Sequence, residues 1–280
     1  MVWERSRAVA TRFAWLEQTG STNDDLREAV ETDASGWPHG AVIATDDQTA
    51  GRGRLGRTWL APTGKTLAIS LLLRPAAPLP PDAYGWLPLL AGAAMTEAVG
   101  EVVAEASARR AASAEPGDDL DGIDRDDVGL KWPNDVHIAG YKVCGILCEL
   151  LPDGGVVVGA GLNLTLDEHD LPTITSTSLL LATGERPDAD AVLADYVARI
   201  LAHFDAFAHA GGDAVASGLA DLVSGLCETI GQDVRVELPG GAEFVGTAER
   251  LDRDGRLVVR DRENDEPQAV AAGDVTHLRY

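Results

Sequence analysis

"GRGRLGRTWLAPTGK" occupies residues 51–65, and its reading decides the fold. Its first six letters, Gly51 to Gly56, satisfy the dinucleotide fingerprint G-x-G-x-x-G. That fingerprint works only where the glycines leave a strand and open a helix whose first amides take the pyrophosphate. A strand precedes them: "GAVIATDDQ" (40–48) holds a buried run, Ala41 to Ala44. No helix follows, because Pro62 and Gly64 interrupt "RTWLAPTGK". "TGKT" imitates the end of a phosphate-binding P-loop, but the first glycine of that motif would fall on Trp59. What remains is a glycine loop carrying Arg52, Arg54 and Arg57. Guanidinium groups match carboxylates and phosphates, so the loop points to an anionic ligand, with a solvated turn as the competing reading.

Outward from the loop, the chain alternates strands and helices. "RFAWLEQTG" reads as a strand and turn, and "STNDDLREAVE" as a helix that Ser21 or Thr22 can cap, with Asp24 and Asp25 in its first turn. "TLAISLLLRP" (66–75) is a strand ended by Pro75, and residues 82–106 are apolar enough for a core helix. Residues 107–128 turn acidic and read as a solvated surface insertion. "VGLKWPNDVHIAGYKVCGILCELL" reads as two strands around a turn, and "GGVVVGAGLNL" as another strand. Residues 188–208 place Val192, Leu193, Tyr196, Val197, Ile200, Leu201 and Phe204 on one helical face. From about Ile230 short alternating strands take over, with turns at Pro239-Gly240-Gly241 and Asp254-Gly255.

The 280 residues carry a formal net charge of −22 and only three lysines: Lys65, Lys131 and Lys142. Such a surface disfavours non-specific contact with nucleic acid or membrane and suits high salt. No continuous apolar run is long enough to span a bilayer, and "MVWERSRAVATRF" has no signal-peptide core; a cytoplasmic protein is expected. Cys144, Cys148 and Cys227 are too few and too poorly spaced for a disulfide framework or a metal site.

A second motif, "KWPNDV" (131–136), puts Lys131 at a strand end before a turn. The order "GSTNDD", "QTAGRGRLGRTW", "KWPNDV", "YKVCGILCE", "GAGLNL" resembles the biotin protein ligases over most of the chain. The resemblance implies an α+β fold: a mixed, mainly antiparallel sheet with flanking helices, of the kind shared with class II synthetases. A small C-terminal SH3-like β-barrel is implied with it. It divides the chain into a catalytic unit, residues 1–227, and the barrel, residues 228–280. It also implies two steps. Biotin and ATP give biotinyl-5′-AMP and pyrophosphate, and a lysine of a biotin carboxyl carrier domain then takes the biotin. Some members carry an N-terminal DNA-binding domain. Here "STN" begins at residue 21, and no DNA partner and no membrane are expected. A homodimer is left open.

By that resemblance, Lys131 and Arg54 are the catalytic cations, with Arg52 supplying further charge. Ser21, Thr22 and Asn23 bind the ureido ring of biotin. Gln48 lines the same pocket, with Gly51 and Gly53 of the loop, and Gly145 lets the backbone approach. Trp59 packs over the ligand as the loop closes, which keeps water from a reactive acyl-adenylate. Asn163 contacts adenine, and Arg57, Asn134 and Arg279 belong to the ATP side. Mg²⁺ accompanies the polyphosphate, with ligands unassigned. Lys142 is read as structural or electrostatic. Two rivals remain: a lipoate or octanoate ligase of the same broad fold, and a non-catalytic nucleotide- or biotin-binding module.

Overall fold

Strands buried on both faces read as unbroken apolar runs. Three of them form the middle of one sheet here: β2 (Ala41–Thr45), β3 (Thr66–Leu73) and β7 (Val156–Asn163), with β2 and β3 buried at every position. The structure, a computed structural model, describes residues 2–114, 122–238, 240–271 and 273–278. Around the three strands lie β1 (Arg12–Trp15), β4 (Val128–Lys131), β5 (Asp135–Ile138) and β6 (Tyr141–Leu150). The order is β1-β2-β3-β7-β6-β5-β4. Only β1 and β2 run parallel; every other pairing is antiparallel.

The two sheet faces bear different loads. Against one lies α2 (Thr22–Thr32), which buries Leu26 and Val30 on Ile43, Leu72 and Val157. The other carries the main core, with α3 (Leu87–Ser113) crossing it beside α5 (Ala189–His209). A short α1 (Glu4–Val9) docks on α5 through one carboxylate. Asp190 Oδ2 accepts the Arg5 amide at 2.9 Å, and Oδ1 accepts the Ser6 amide at 2.9 Å and the Ser6 hydroxyl at 2.6 Å. Two more short helices, α4 (Leu179–Thr183) and α6 (Leu219–Leu226), complete this layer.

A second sheet follows: β8 (Asp233–Glu237), β9 (Glu243–Leu251), β10 (Leu257–Asp261), β11 (Pro267–Val270) and β12 (Asp274–His277), all antiparallel in the order β11-β10-β9-β8-β12. Its β9–β10 turn plugs onto the first unit. Trp86 Nε1 donates to the Arg253 carbonyl at 2.8 Å, and Trp132 Nε1 to that of Gly255 at 3.2 Å. The approach is close enough that a Cβ on Gly85 would stand 2.5 Å from the Asp254 carbonyl oxygen.

Several expectations need correction. "VGLKWPNDVHIAGYKVCGILCELL" makes three strands, because Ala139 and Gly140, both with positive φ, form a second turn after Ile138. Residues 107–113 belong to α3 rather than to a surface insertion, and 115–121 lie outside the described residues. Against the expectation from continuous apolar runs, the helical stretch Pro81–Ser113 is long and apolar enough to cross a membrane. Its most apolar window is 72% buried within this protein, as a core helix is. Finally, Ser21 sits at the N-cap position of α2 but its side chain makes no capping bond. The first amide of the helix, Thr22 N–H, goes instead to Gln48 Oε1 at 2.9 Å.

Candidate active site

Along a strand, alternate residues share a face. On the α2 face of the central strands those residues are unusually small: Ala68 and Ser70 of β3, Gly145 of β6, Gly159 and Gly161 of β7. Side chains that would fill the space beside α2 are missing there. A cavity of about 530 Å³ results, lined by these strands, the start of α2, the arginine loop and the beginning of β12. That size is ordinary for a small-molecule site. The sequence signal for this floor was the G-x-G spacing in "VVVGAGLN", a stretch that entered the motif order but was given a site role only at Asn163.

One wall is the N-terminus of α2, where Ser21, Thr22 and Asn23 are all buried. Asn23 is fixed in orientation: its Nδ2 donates to Glu149 Oε2 at 2.7 Å, and its Oδ1 accepts Ser70 Oγ at 2.6 Å. Gly159 exists for this side chain, since a Cβ there would meet Asn23 Oδ1 at 2.4 Å. Gln48 lines the same wall and is itself held by Thr22.

Residues 51–59 are ordered as a miniature hairpin. Arg52 bridges Thr58, the Trp59 amide donates to the Gly51 carbonyl at 2.9 Å, and the Gly53 amide to the Arg57 carbonyl at 2.7 Å. Each arginine has a partner. Arg52 Nη2 lies 2.7 Å from Asp24 and 3.2 Å from Glu149. Arg54 donates to Asn134 Oδ1 at 3.0 Å and to the Gly273 carbonyl at 3.2 Å. Arg57 pairs with Asp274. Burial pulls the Arg54 guanidinium below its ordinary value, Asp135 opposes the shift and Arg57 adds to it; the group stays charged at neutral pH. The Trp59 ring turns inward over the floor, so that a Cβ on Gly161 would come within 2.4 Å of it and one on Gly145 within 3.1 Å.

Two lysines line the cavity, Lys131 at the end of β4 and Lys142 near the start of β6. The Lys142 ammonium is salt-bridged to Asp135 at 2.7 Å, stands 5.6 Å from the Trp59 ring centroid, and would lie 3.1 Å from a Cβ on Gly145. Residues 142 and 145, three apart, belong on opposite faces of a regular strand. A bulge brings them together: Val136 pairs with Cys144 but His137 with Lys142, leaving Val143 unpaired on β6. Asn134, buried beneath, donates to the Ile146 carbonyl at 2.6 Å while accepting from Arg54.

The last wall is residues 172–176, joined to β6 where Lys142 bridges Ser176. Asn163 is at the cavity with its Nδ2 on the Thr177 carbonyl at 2.9 Å, steadying this segment. The expected residues Ser21, Thr22, Asn23, Gln48, Arg52, Gly53, Arg54, Arg57, Trp59, Lys131, Asn134, Gly145 and Asn163 all line one cavity. Gly51 packs against Gln48 and Trp59 behind it. Arg279 lies outside the described residues. Sequence reasoning took Lys142 only as structural or electrostatic and passed over Asp135, Glu149, Gly159, Gly161 and Asp274. The cysteines take no part: burial pushes the Cys148 thiol up to about 12 and the Cys144 thiol well above its ordinary value.

Comparison with known proteins gives this arrangement a family. The model of the biotin/lipoate A/B protein ligase family matches residues 15–167, more than half of the chain, and that of the biotin protein ligase C-terminal domain matches residues 229–278. The chain belongs to the biotin/lipoate A/B protein ligase family. Among relatives in that family, the biotin–[acetyl-CoA-carboxylase] ligase of Mycobacterium tuberculosis is 37% identical over 98% of this chain and 94% of its own length. Among solved structures, the R40G mutant of the Aquifex aeolicus biotin protein ligase in complex with biotin superposes with a TM-score of 0.70 at 26% identity, covering 96% of this chain and 99% of that one. The Aquifex ligase in complex with biotin and ATP gives 0.66 at 25%, covering 96% and 100%. The family fold, a mixed sheet with flanking helices and a small C-terminal antiparallel sheet, is the one described above.

Proposed function

We propose that this chain is a biotin protein ligase that activates biotin with ATP and transfers it to a lysine of a biotin carboxyl carrier domain. The observation carrying the reading is the convergence of Arg54, Lys131 and Lys142 on one cavity whose floor has been cleared of side chains. The Mycobacterium relative, a biotin–[acetyl-CoA-carboxylase] ligase, and the Aquifex ligase in complex with biotin and ATP agree with it. A carboxylate and a triphosphate repel, so their reaction needs fixed positive charge around both. Asn23, with its amide locked by Glu149 and Ser70, and Ser21 and Thr22 beside it, present polar groups to the ureido ring. The valeryl chain would run along the glycine floor once the Trp59 ring, which rests directly on Gly161, moves aside to cover it. Lys142 then meets the biotin carboxylate, with Lys131 and Arg54 toward the phosphates. The carboxylate oxygen bonds to the α-phosphorus as pyrophosphate leaves. The carrier lysine's amine then attacks the acyl carbon and AMP leaves.

The loop ion pairs and Trp59 exclude water from the mixed anhydride. Asn134, Arg52 and Arg57 act mainly by holding the loop, and Asn163 holds the segment facing the nucleotide. Among the described residues no group of three or more His, Cys, Asp or Glu could hold a metal. The donors would suit a Mg²⁺ carried on the polyphosphate and touched at most by Asp135, where it would neutralise phosphate charge. The test is isotope exchange between pyrophosphate and ATP, which biotin should support and lipoate should not. Mass spectrometry of a carrier domain should then show the addition of one biotin. Exchange driven by lipoate, or an unmodified carrier, would overturn the reading.

A further inference from the structure

The tip of the arginine loop has almost nothing apolar to rest on. Leu55 is 66% exposed and left-handed (φ 57°), and a Cβ on Gly56 would find no atom within 4 Å. Hydrophobic burial therefore does not hold residues 53–57 where they are. Two arginines do: Arg54 is anchored to Asn134 on the first sheet, and both arginines also reach one place on the second. Arg54 donates to the carbonyl of Gly273, and Arg57 pairs with the carboxylate of Asp274. These consecutive residues open β12, an edge strand of the second sheet paired to β8 with Asp274 opposite Glu237. The strand start packs closely on β8, since a Cβ on Gly273 would stand 2.6 Å from the Glu237 carbonyl oxygen. Asp274 is only 24% exposed at its side chain, whereas Arg57 is 63% exposed, so the acid is the fixed member of the pair and the loop arginine the movable one.

We infer that Asp274 is a positioning residue: through Arg57 it clamps the arginine loop over the cavity, so the second sheet controls how long the cavity stays shut. The Gly273 carbonyl cannot be removed by a side-chain change, so Asp274→Asn subtracts one clamp and leaves the other. The clamp joins two elements already folded and is partly open to water. Its loss costs the global fold little but shifts the local equilibrium of the loop. Resting on the ligase reading, the same clamp limits escape of biotinyl-5′-AMP before a carrier arrives.

Limited trypsin digestion of the full-length protein without ligand tests the clamp directly, because Arg54 lies at the loop tip. Nicking after Arg54, read by mass spectrometry, reports the open population of the loop. Asp274→Asn should accelerate it about fivefold, the factor given by losing a partly exposed ion pair. The melting temperature should be unchanged, and Asp274→Glu should restore slow nicking. Equal nicking rates in wild type and Asp274→Asn would overturn the inference, as would a fall in melting temperature that accounts for the faster cleavage. With biotin and ATP but no acceptor, free biotinyl-5′-AMP should then appear about fivefold faster from Asp274→Asn. If nicking responds but no variant makes the adenylate, the clamp stands and the ligase reading falls. If adenylate is made by all and nicking does not respond, the reverse holds.

Discussion

At the scale of single residues, Lys142 is the clearest instance of a placement hidden from sequence. In "YKVCGILCE" it is a lysine near the start of a strand, three residues from Gly145 and so on the opposite face by simple alternation. One bulge at Val143 reverses that and sets its ammonium on the cavity floor beside Asp135. Bulges follow from pairing partners that a single strand's letters do not reveal. Arg52, Arg54 and Lys131, by contrast, were legible because the glycine–arginine loop and "KWPND" each carry their own local pattern. Lys142→Ala should lower biotin- and ATP-dependent pyrophosphate exchange by about 10² to 10³, the usual cost of a charge aimed at a developing anion. Lys131→Ala should cost less. Exchange kinetics of the two variants decide this, and a larger loss at residue 131 would reverse the assignment.

Among the elements, helix α5 was readable end to end, since its apolar positions recur at helical spacing; Asp188 caps it and Asp190 stands in its first turn. Helix α1 was not. Six residues without a strong apolar stripe cannot form a helix alone, and it exists because Asp190 receives its first amides. Burial pushes the Asp190 carboxyl upward, but the Ser6 hydroxyl, the Ser6 and Arg5 amides and the Arg5 charge outweigh it and hold it below the ordinary carboxylate range. A carboxyl depressed in the folded state stabilises fully above its unfolded value of about 3.9 and loses that contribution as pH falls through the lower folded value. Asp190→Asn should cost about 2 kcal/mol at neutral pH. The gap to wild type should close as pH drops below about 4. Urea unfolding across that range measures it; a gap independent of pH would show that the charge of Asp190 is immaterial.

For the whole molecule, the change of texture near Ile230 announced a second β unit, but not how it attaches. Its turn Asp254-Gly255 read as an ordinary hairpin connection. In the structure that turn meets Gly85 and takes hydrogen bonds from Trp86 and Trp132, contacts between segments about 120 to 170 residues apart in sequence. Local patterning carries no record of such distant partners. Gly85→Ala would drive a methyl into the Asp254 carbonyl and should cost about 1–3 kcal/mol, an overpacking penalty. Calorimetry should show the melting temperature lowered by about 2–5 °C. An unshifted transition would mean the interface yields freely. Because both docking indoles are buried against the second sheet, peeling that sheet away would wet them while the first sheet stays intact. Their emission would then move to longer wavelength ahead of any loss of helical circular dichroism, giving the protein a native optical gauge of whether its two halves part before they unfold.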